Sequence, residues 1–263
     1  MVMVQKIIIV LCLMLTVISG YAQDKFSLTP EKDIPILGAG FLAGLSGYFL
    51  EKKVTPPTEV EILRLHPADI NRFDRNAIDH YSQNAEKLSD ITVTAGVLLP
   101  VSLMILPETR REKITLSVMY LEVLFFANSL PALGKGIIRR KRPYNYNPEI
   151  PLKKKLEAEA VKSFFSRHTS SAFASATFFL MIYGSYYPES PYREAVWISS
   201  LALASLTGYL RYASGEHFPT DIMAGAVVGA CTGFFVPWIH RFNSENNIGL
   251  NLHPGKISLQ FSF

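Results

Sequence analysis

The sequence predicts an all-α protein: a six-helix bundle that crosses a membrane and carries a small β-hairpin at its carboxyl end. Three observations predict it. Of the 263 residues, 49% are hydrophobic and only 18% charged, whereas soluble domains carry about a quarter charged residues. Apolar runs recur at about 34–50, 91–106, 114–133, 169–187, 195–210 and 222–239, each near the ~20 residues that cross a bilayer. Gly38, Gly40, Gly44 and Gly47 punctuate the first run and Gly225 and Gly229 the last, and small residues let helices approach closely in lipid. The same runs would also suit the buried helices of a water-soluble bundle. Glu122, in the middle of the third run, either faces the bundle interior or favours that alternative.

Composition excludes several classes. A disordered chain needs few apolar residues and many charges. A disulfide scaffold needs more than the two cysteines present. A net charge of +4 is too small to make nucleic acid an expected partner.

Taken in order, residues 1–23 (MVMVQKIIIVLCLMLTVISGYAQ) read as a secretory signal peptide. Lys6 precedes the apolar stretch, and Gly20 and Ala22 stand where cleavage needs small residues; an uncleaved first membrane helix is the alternative. Cleavage would remove Cys12, leaving Cys231 without an intrachain partner, as inert packing in an apolar run. Residues 24–90 form an amino-terminal helical region, with the apolar helix 34–50 and an amphipathic connection at 51–90 where an interfacial helix is expected. Residues 91–241 hold the core. Residues 242–263 form a tail whose alternating pattern around Pro254-Gly255 reads as a hairpin.

The chemistry collects in three clusters at segment ends. Lys135, Arg142 and Pro143 follow the third run. Phe165-Ser166-Arg167-His168-Thr169-Ser170-Ser171 opens the fourth. Arg211, His217 and Asp221 lie between the fifth and sixth. By alternation of the runs, all three clusters share one end of the bundle. Lys135, Arg142 and Arg211 are fixed cations suited to a tetrahedral anion, arginine by forked contacts and lysine as a point charge. A helix that starts near Ser166 offers free N–H groups to the same anion. Two histidines can divide nucleophile and general acid between them. Asp221, four residues after His217, can hold the imidazole tautomer. Together they describe a phosphoryl-transfer site without a metal cluster.

In their order and spacing these clusters resemble the signature of the type 2 phosphatidic acid phosphatase (PAP2) superfamily: Lys-x6-Arg-Pro, then Pro-Ser-Gly-His, then Ser-Arg-x5-His-x3-Asp. Lys135-x6-Arg142-Pro143 matches in full, Ser166 and His168 match the second motif, and Arg211-x5-His217-x3-Asp221 matches the third. The resemblance covers roughly 90–240, making 91–241 a PAP2 phosphatase core. It implies a six-helix core and a phosphohistidine mechanism that needs no cofactor and no metal. His217 would be the nucleophile, His168 the general acid, and Asp221 the group that orients His217. Lys135, Arg142, Ser166, Arg167 and Arg211 would bind phosphate. Three residues depart from the pattern: Phe165 replaces Pro, Arg167 replaces Gly and Leu210 replaces Ser. Arg167 restricts the close backbone approach that Gly allows, and would either add a cation for a second phosphate or slow turnover.

The expected function is therefore a membrane-bound phosphatase acting on lipid phosphate monoesters or diphosphates: undecaprenyl diphosphate, phosphatidylglycerol phosphate, phosphatidic acid or a lipid A phosphate. Phe164, Phe165, Phe173, Tyr209 and Tyr212 would wall the lipid chain. The alternatives are a periplasmic acid phosphatase for soluble monoesters, a vanadium-dependent haloperoxidase, for which the chain is short, and a lipid-binding protein with an impaired site. The expected location is the bacterial cell envelope, in the inner membrane with the site facing the periplasm. That sidedness assumes that 34–50 lies re-entrant or interfacial, and it leaves Arg110, Arg111 and Lys113 on the inner side.

Overall fold

The computed structural model describes residues 25–241, 249–253 and 256–260. The expected signal peptide and the Pro254-Gly255 turn lie outside them. Six long helices dominate: α1 (Pro30–Lys52), α2 (Gln83–Leu98), α3 (Lys113–Ile138), α4 (Arg167–Tyr186), α5 (Arg193–Ala213) and α6 (Pro219–His240). Each corresponds to one apolar run. Strands β1 (Gly249–His253) and β2 (Lys256–Gln260) pair antiparallel, with Gly249 opposite Gln260 and His253 opposite Lys256.

Helix starts follow local chemistry. Ser82 caps α2 by accepting the Ala85 N–H, and Ser166 caps α4 by accepting the Thr169 N–H. Pro30 and Pro219 occupy first-turn positions of α1 and α6, where their missing N–H costs nothing. α2 begins eight residues before its apolar run, so a domain boundary at 90/91 would cut a helix that supplies Ser89 and Asp90 to the site end. The connection 53–82 also departs from expectation. It holds only the short helix Glu59–Leu63 and two 3-10 turns, Pro67–Asp69 and Arg75–Asp79. Pro56, Pro57 and Pro67 interrupt any longer helix.

α4 is the central helix. It packs on α6, α5, α3 and α2, while α1 packs along α3. The main core lies between α3 and α4, where Met119, Val123, Ala127, Phe178 and Ile182 are buried together. Tyr120 Oη donates to the Val97 carbonyl and bonds Ser175 Oγ, tying α2, α3 and α4 together. Outward faces are apolar: Leu42 and Phe49 on α1, Ile91 and Leu98 on α2, and Val227, Phe235 and Trp238 on α6 are all exposed. Cys231 is exposed on α6 rather than packed inside. Glu122, by contrast, is fully buried.

Four segments are long and apolar enough to cross a membrane: Pro30–Lys52, Gln83–Met104, a stretch within Arg110–Tyr146, and Pro219–His240. The chain is a membrane protein. Residues 34–50 lie within α1, one continuous helix of 23 residues without a re-entrant turn, about 35 Å long against a hydrocarbon core of about 30 Å; an interfacial placement is the other half of the expectation. Pro35 falls early enough in α1 to leave it unbroken. Lys25, beside Glu112 and Ser185, and the chemical clusters lie at opposite ends of the bundle.

The α4–α6 contact is made backbone to backbone. A Cβ added at Gly225, Gly229 or Gly233 would stand 2.6 Å from the Ser166 carbonyl oxygen, 2.2 Å from that of Ser170 and 2.3 Å from that of Ala174. Gly38 has nothing within 4 Å of such an atom. Gly229→Ala should therefore destabilise the fold by about 1–3 kcal/mol, as overpacking does. Gly38→Ala should be neutral or stabilising, by up to about 1 kcal/mol, through helix propensity. Thermal unfolding of the two variants in detergent checks the pair; equal melting temperatures would contradict the close seam.

Candidate active site

The carboxyl ends of α3 and α5 and the amino ends of α4 and α6 meet at one end of the bundle. The α4–α6 seam sets the register there. The Ser166 N–H donates to the Asp221 carbonyl at 3.1 Å, so the start of α4 is docked on the first turn of α6. Ser166 Oγ is buried and turned inward as the helix cap, with the Thr169 hydroxyl donating to it at 2.9 Å.

The turn from α5 to α6 carries the nucleophile candidate. Gly215 has φ +70°, and a Cβ there would lie 2.2 Å from the His80 carbonyl oxygen, so both conformation and space demand glycine. Beyond it the chain folds back, and the N–H groups of Glu216 and His217 both donate to the Arg211 carbonyl at 3.2 Å. This puts Glu216 and His217 beside the guanidinium of Arg211.

Arg142, Arg211 and Lys154 converge on one carboxylate, that of Glu216. Arg142 Nη1 donates to Glu216 Oε2, Arg211 Nη2 lies 3.3 Å from the same oxygen, and Lys154 Nζ lies 3.1 Å from Oε1. Arg142 is held from behind by the Glu159 carbonyl and carboxylate. Arg211 Nη1 donates to Ser89 Oγ. Burial alone would raise the Glu216 carboxyl pKa, but Arg142, Arg211 and Lys154 outweigh it and hold it at about 2. The carboxylate is thus an internal anion seated among the cations expected to bind phosphate.

His217 is almost wholly buried. Burial first, then Arg142, Arg211 and Lys135, keeps its pKa well below the ordinary histidine value, so the imidazole is neutral at neutral pH. Its Nδ1 has no hydrogen-bond partner among the described residues and lies 3.7 Å from Asp221 Oδ2. That oxygen already accepts from Ser163 Oγ at 2.5 Å and from the Phe218 N–H at 3.0 Å, while Arg140 donates to Oδ1 at 2.6 Å. Catalytic hydrogen bonds are often long before substrate binds. A shift of under an ångström brings Nδ1–H onto Asp221.

The remaining expected residues are distributed as follows. Lys135 is buried in the last turns of α3; its carbonyl accepts the Arg139 N–H that caps the helix, and its ammonium makes no hydrogen bond among the described residues. His168 Nε2 bonds Asp90 Oδ1 at 2.8 Å and is partly exposed at the mouth. Arg167 pairs with Glu51 of α1 at 2.7 Å, and its guanidinium is close enough to Lys135 to act on that ammonium. The expected aromatic wall is not continuous. Phe165 is buried over Gly134, Tyr209 is exposed, and Tyr212 bonds His80 at 2.8 Å. An apolar cavity of about 410 Å³ lies instead between α1 and α3, lined by Gly44, Tyr48, Leu121, Leu124 and Phe125, with Glu51 and Arg167 at one end.

Sequence reasoning did not find Glu216, Arg140, Ser163 or Asp74. Arg140 bridges Asp221 and Asp74, and Asp74 also accepts from the Thr220 N–H and hydroxyl. These partners stand 66 to 146 residues apart, and no local pattern announces such pairs.

Glu216→Gln tests the internal anion. Removing it strands buried cations, so the variant should melt several degrees lower without phosphate, and inorganic phosphate should restore more stability than it gives wild type. The acid profile supplies a second check. A carboxyl lowered from about 4.3 to about 2 stabilises the fold above pH 4.3 and loses that contribution as the pH falls toward 2. That part of the acid sensitivity should vanish in Glu216→Gln. The part due to neutral His217, which begins as the pH falls below about 6.5, should remain.

A family model described as the PAP2 superfamily matches residues 114–245. The lipid A 1-phosphatase of Porphyromonas gingivalis is 34% identical over 95 residues, 36% of this chain and 20% of that one. The bacitracin transport permease protein BcrC of Bacillus licheniformis is 32% identical over 143 residues, 53% of this chain and 64% of that one. The matched segments thus span less than two thirds of either relative. Two solved structures align with the chain. A transmembrane PAP2 type phosphatidylglycerolphosphate phosphatase from Bacillus subtilis aligns at TM-score 0.48 and 18% identity, covering 79% of this chain and 95% of that one. Aquifex aeolicus LpxE aligns at TM-score 0.44 and 23% identity, covering 62% and 90%. With the family model matched across α3 to α6, which carry all three motifs, the chain belongs to the PAP2 superfamily.

Proposed function

We propose that the protein is a phosphatase of lipid phosphate monoesters or diphosphates and works through a phosphohistidine intermediate. The observation that carries this reading is the buried pair of Arg142 and Arg211 around one carboxylate, directly beside a neutral, buried His217. A phosphate that displaces the Glu216 carboxylate from this cradle meets fixed cations, with Lys135 close by and the start of α4 behind it.

The chemistry then follows in two balanced steps. His217 attacks phosphorus through Nε2, and the P–O bond to the lipid alcohol, or to the leaving phosphate of a diphosphate, breaks. His168 gives that oxygen a proton. Asp221 accepts a hydrogen bond from His217 Nδ1–H and balances the positive ring. Water then attacks the phosphohistidine, His168 takes the water's proton, and inorganic phosphate leaves with His217 neutral again. Asp90 holds His168 at the mouth, where the leaving group departs.

A lipid substrate is supported by the apolar cavity between α1 and α3, which reaches the site end at Arg167, and by the similarity to the lipid A 1-phosphatase of Porphyromonas gingivalis. We assign the protein to the inner membrane, with the site on the periplasmic face. The short loop with Arg110, Arg111 and Lys113, at the opposite face, supports this under the positive-inside rule. Where α1 crosses, this sidedness and a cleaved export signal exclude each other. A reporter fused after Lys155 should read as periplasmic; a cytoplasmic reading would reverse the assignment.

The central test is phosphate release by detergent-purified protein in EDTA, from a panel of lipid mono- and diphosphates and one soluble monoester. Wild type should release phosphate. His217→Ala should lose at least about 10³-fold in kcat, and Asp221→Asn somewhat less. Acid-trapped radioactive phosphate should appear on wild type and not on His217→Ala. Release that survives in His217→Ala would overturn the mechanism, and preference for the soluble monoester would overturn the substrate class.

A further inference from the structure

A second polar cluster lies at the other end of the bundle. Asp33 in the first turns of α1, Glu122 in α3 and His240 at the end of α6 meet there, about 28 Å from Asp221 along α6. All three are buried. His240 Nε2 stands 3.0 Å from Asp33 Oδ1 and 3.3 Å from Glu122 Oε2, and one ligand atom from each residue lies within 4.8 Å of the others. Nothing in the phosphatase mechanism uses them.

Proton and charge counting is informative. His240 Nδ1 lies 2.8 Å from the Val236 carbonyl, which can only accept, so Nδ1 carries a proton. A second proton on Nε2 together with one on a carboxyl would balance the cluster, and so would one divalent cation held by a neutral ring and two carboxylates; the geometry decides for the cation. Both Glu122 oxygens are buried without a hydrogen-bond partner among the described residues, a costly arrangement for a carboxylate in an apolar bundle. A neutral ring instead turns the Nε2 lone pair toward both carboxylates. One divalent cation then brings the sum to zero. Metal bonds of about 2.0–2.2 Å put tetrahedral ligand atoms about 3.4 Å apart, close to the two observed separations. The Nδ1–H to carbonyl bond is the outer contact that orients a ligating histidine, and Asp33 is held by the Thr29 N–H at 2.5 Å.

We infer that Asp33, Glu122 and His240 bind one divalent transition-metal ion, with Zn²⁺ the reference for this N/O donor set. The ion pins the start of α1 and the end of α6 to α3. It has no part in phosphoryl transfer, so the inference is independent of the proposed function.

The test uses the full chain in detergent, stripped with EDTA and reloaded with Zn²⁺. Wild type and His217→Ala should each retain one zinc per chain through gel filtration. Glu122→Gln, a near-isosteric change, should bind at least about tenfold more weakly. Stripped wild type should melt roughly 5–10 °C higher at a hundredfold excess of Zn²⁺ over Kd, and Co²⁺ should give a visible ligand-field spectrum. The wild-type titration stands even if Glu122→Gln fails to fold. Substoichiometric zinc with an unchanged melting temperature would overturn the inference in favour of a proton-held cluster. Loss of zinc in His217→Ala would also overturn it, by moving the ion to the catalytic end.

Discussion

The contact between the backbones of α4 and α6 is the constraint on which the rest depends. Three glycines of α6, one turn apart, lie against the carbonyls of Ser166, Ser170 and Ala174. The contact fixes distance and register together. It delivers the Ser166 N–H to the Asp221 carbonyl, so the start of one helix is positioned by the first turn of another. Side chains at such a seam would set a larger spacing, and an anion bound between the two helix starts could then touch only one of them.

Upon that frame sits an electrostatic requirement. Arg142 and Arg211 are both nearly fully buried, and two desolvated guanidinium groups are costly without a counter-charge. Glu216 supplies it, at the position where the proposed reaction needs phosphate. Stability without ligand and affinity for ligand therefore pull on the same residue. Asp221 is similarly shared: its Oδ1 holds Arg140, while its Oδ2 serves Ser163, the Phe218 N–H and, after a short shift, His217.

Much of this was legible in the sequence, for physical reasons. Six helices could be read because a membrane helix needs a long apolar run whatever its neighbours are. Arg142, Arg211, His217 and Asp221 could be read because their motifs are local and their segment ends alternate. Where Arg167 points could not be read, since the direction of a side chain on the first turn of α4 depends on where α1 lies. Glu216 escaped because a carboxylate next to a histidine has no signature until Arg142, 74 residues earlier, is brought onto it. The 53–82 connection resists reading because its prolines interrupt the helix that its amphipathic composition suggests, and composition alone does not separate a crossing helix at 34–50 from an interfacial one.

The pairing of the site cations with late partners has a consequence for biogenesis. Arg140 and Arg142 leave the ribosome 81 and 74 residues ahead of Asp221 and Glu216. At translation rates of about 5–20 residues per second, that delay is roughly 4–15 s. Throughout it the loop between α3 and α4, with Lys153, Lys154 and Lys155 beside these arginines, lies at the membrane surface without its final counter-charges. Water and anionic lipid headgroups must serve as temporary counterions. The insertion of α6 then exchanges those headgroups for carboxylates, so the lipid composition of the membrane bears on how readily the nascent chain matures.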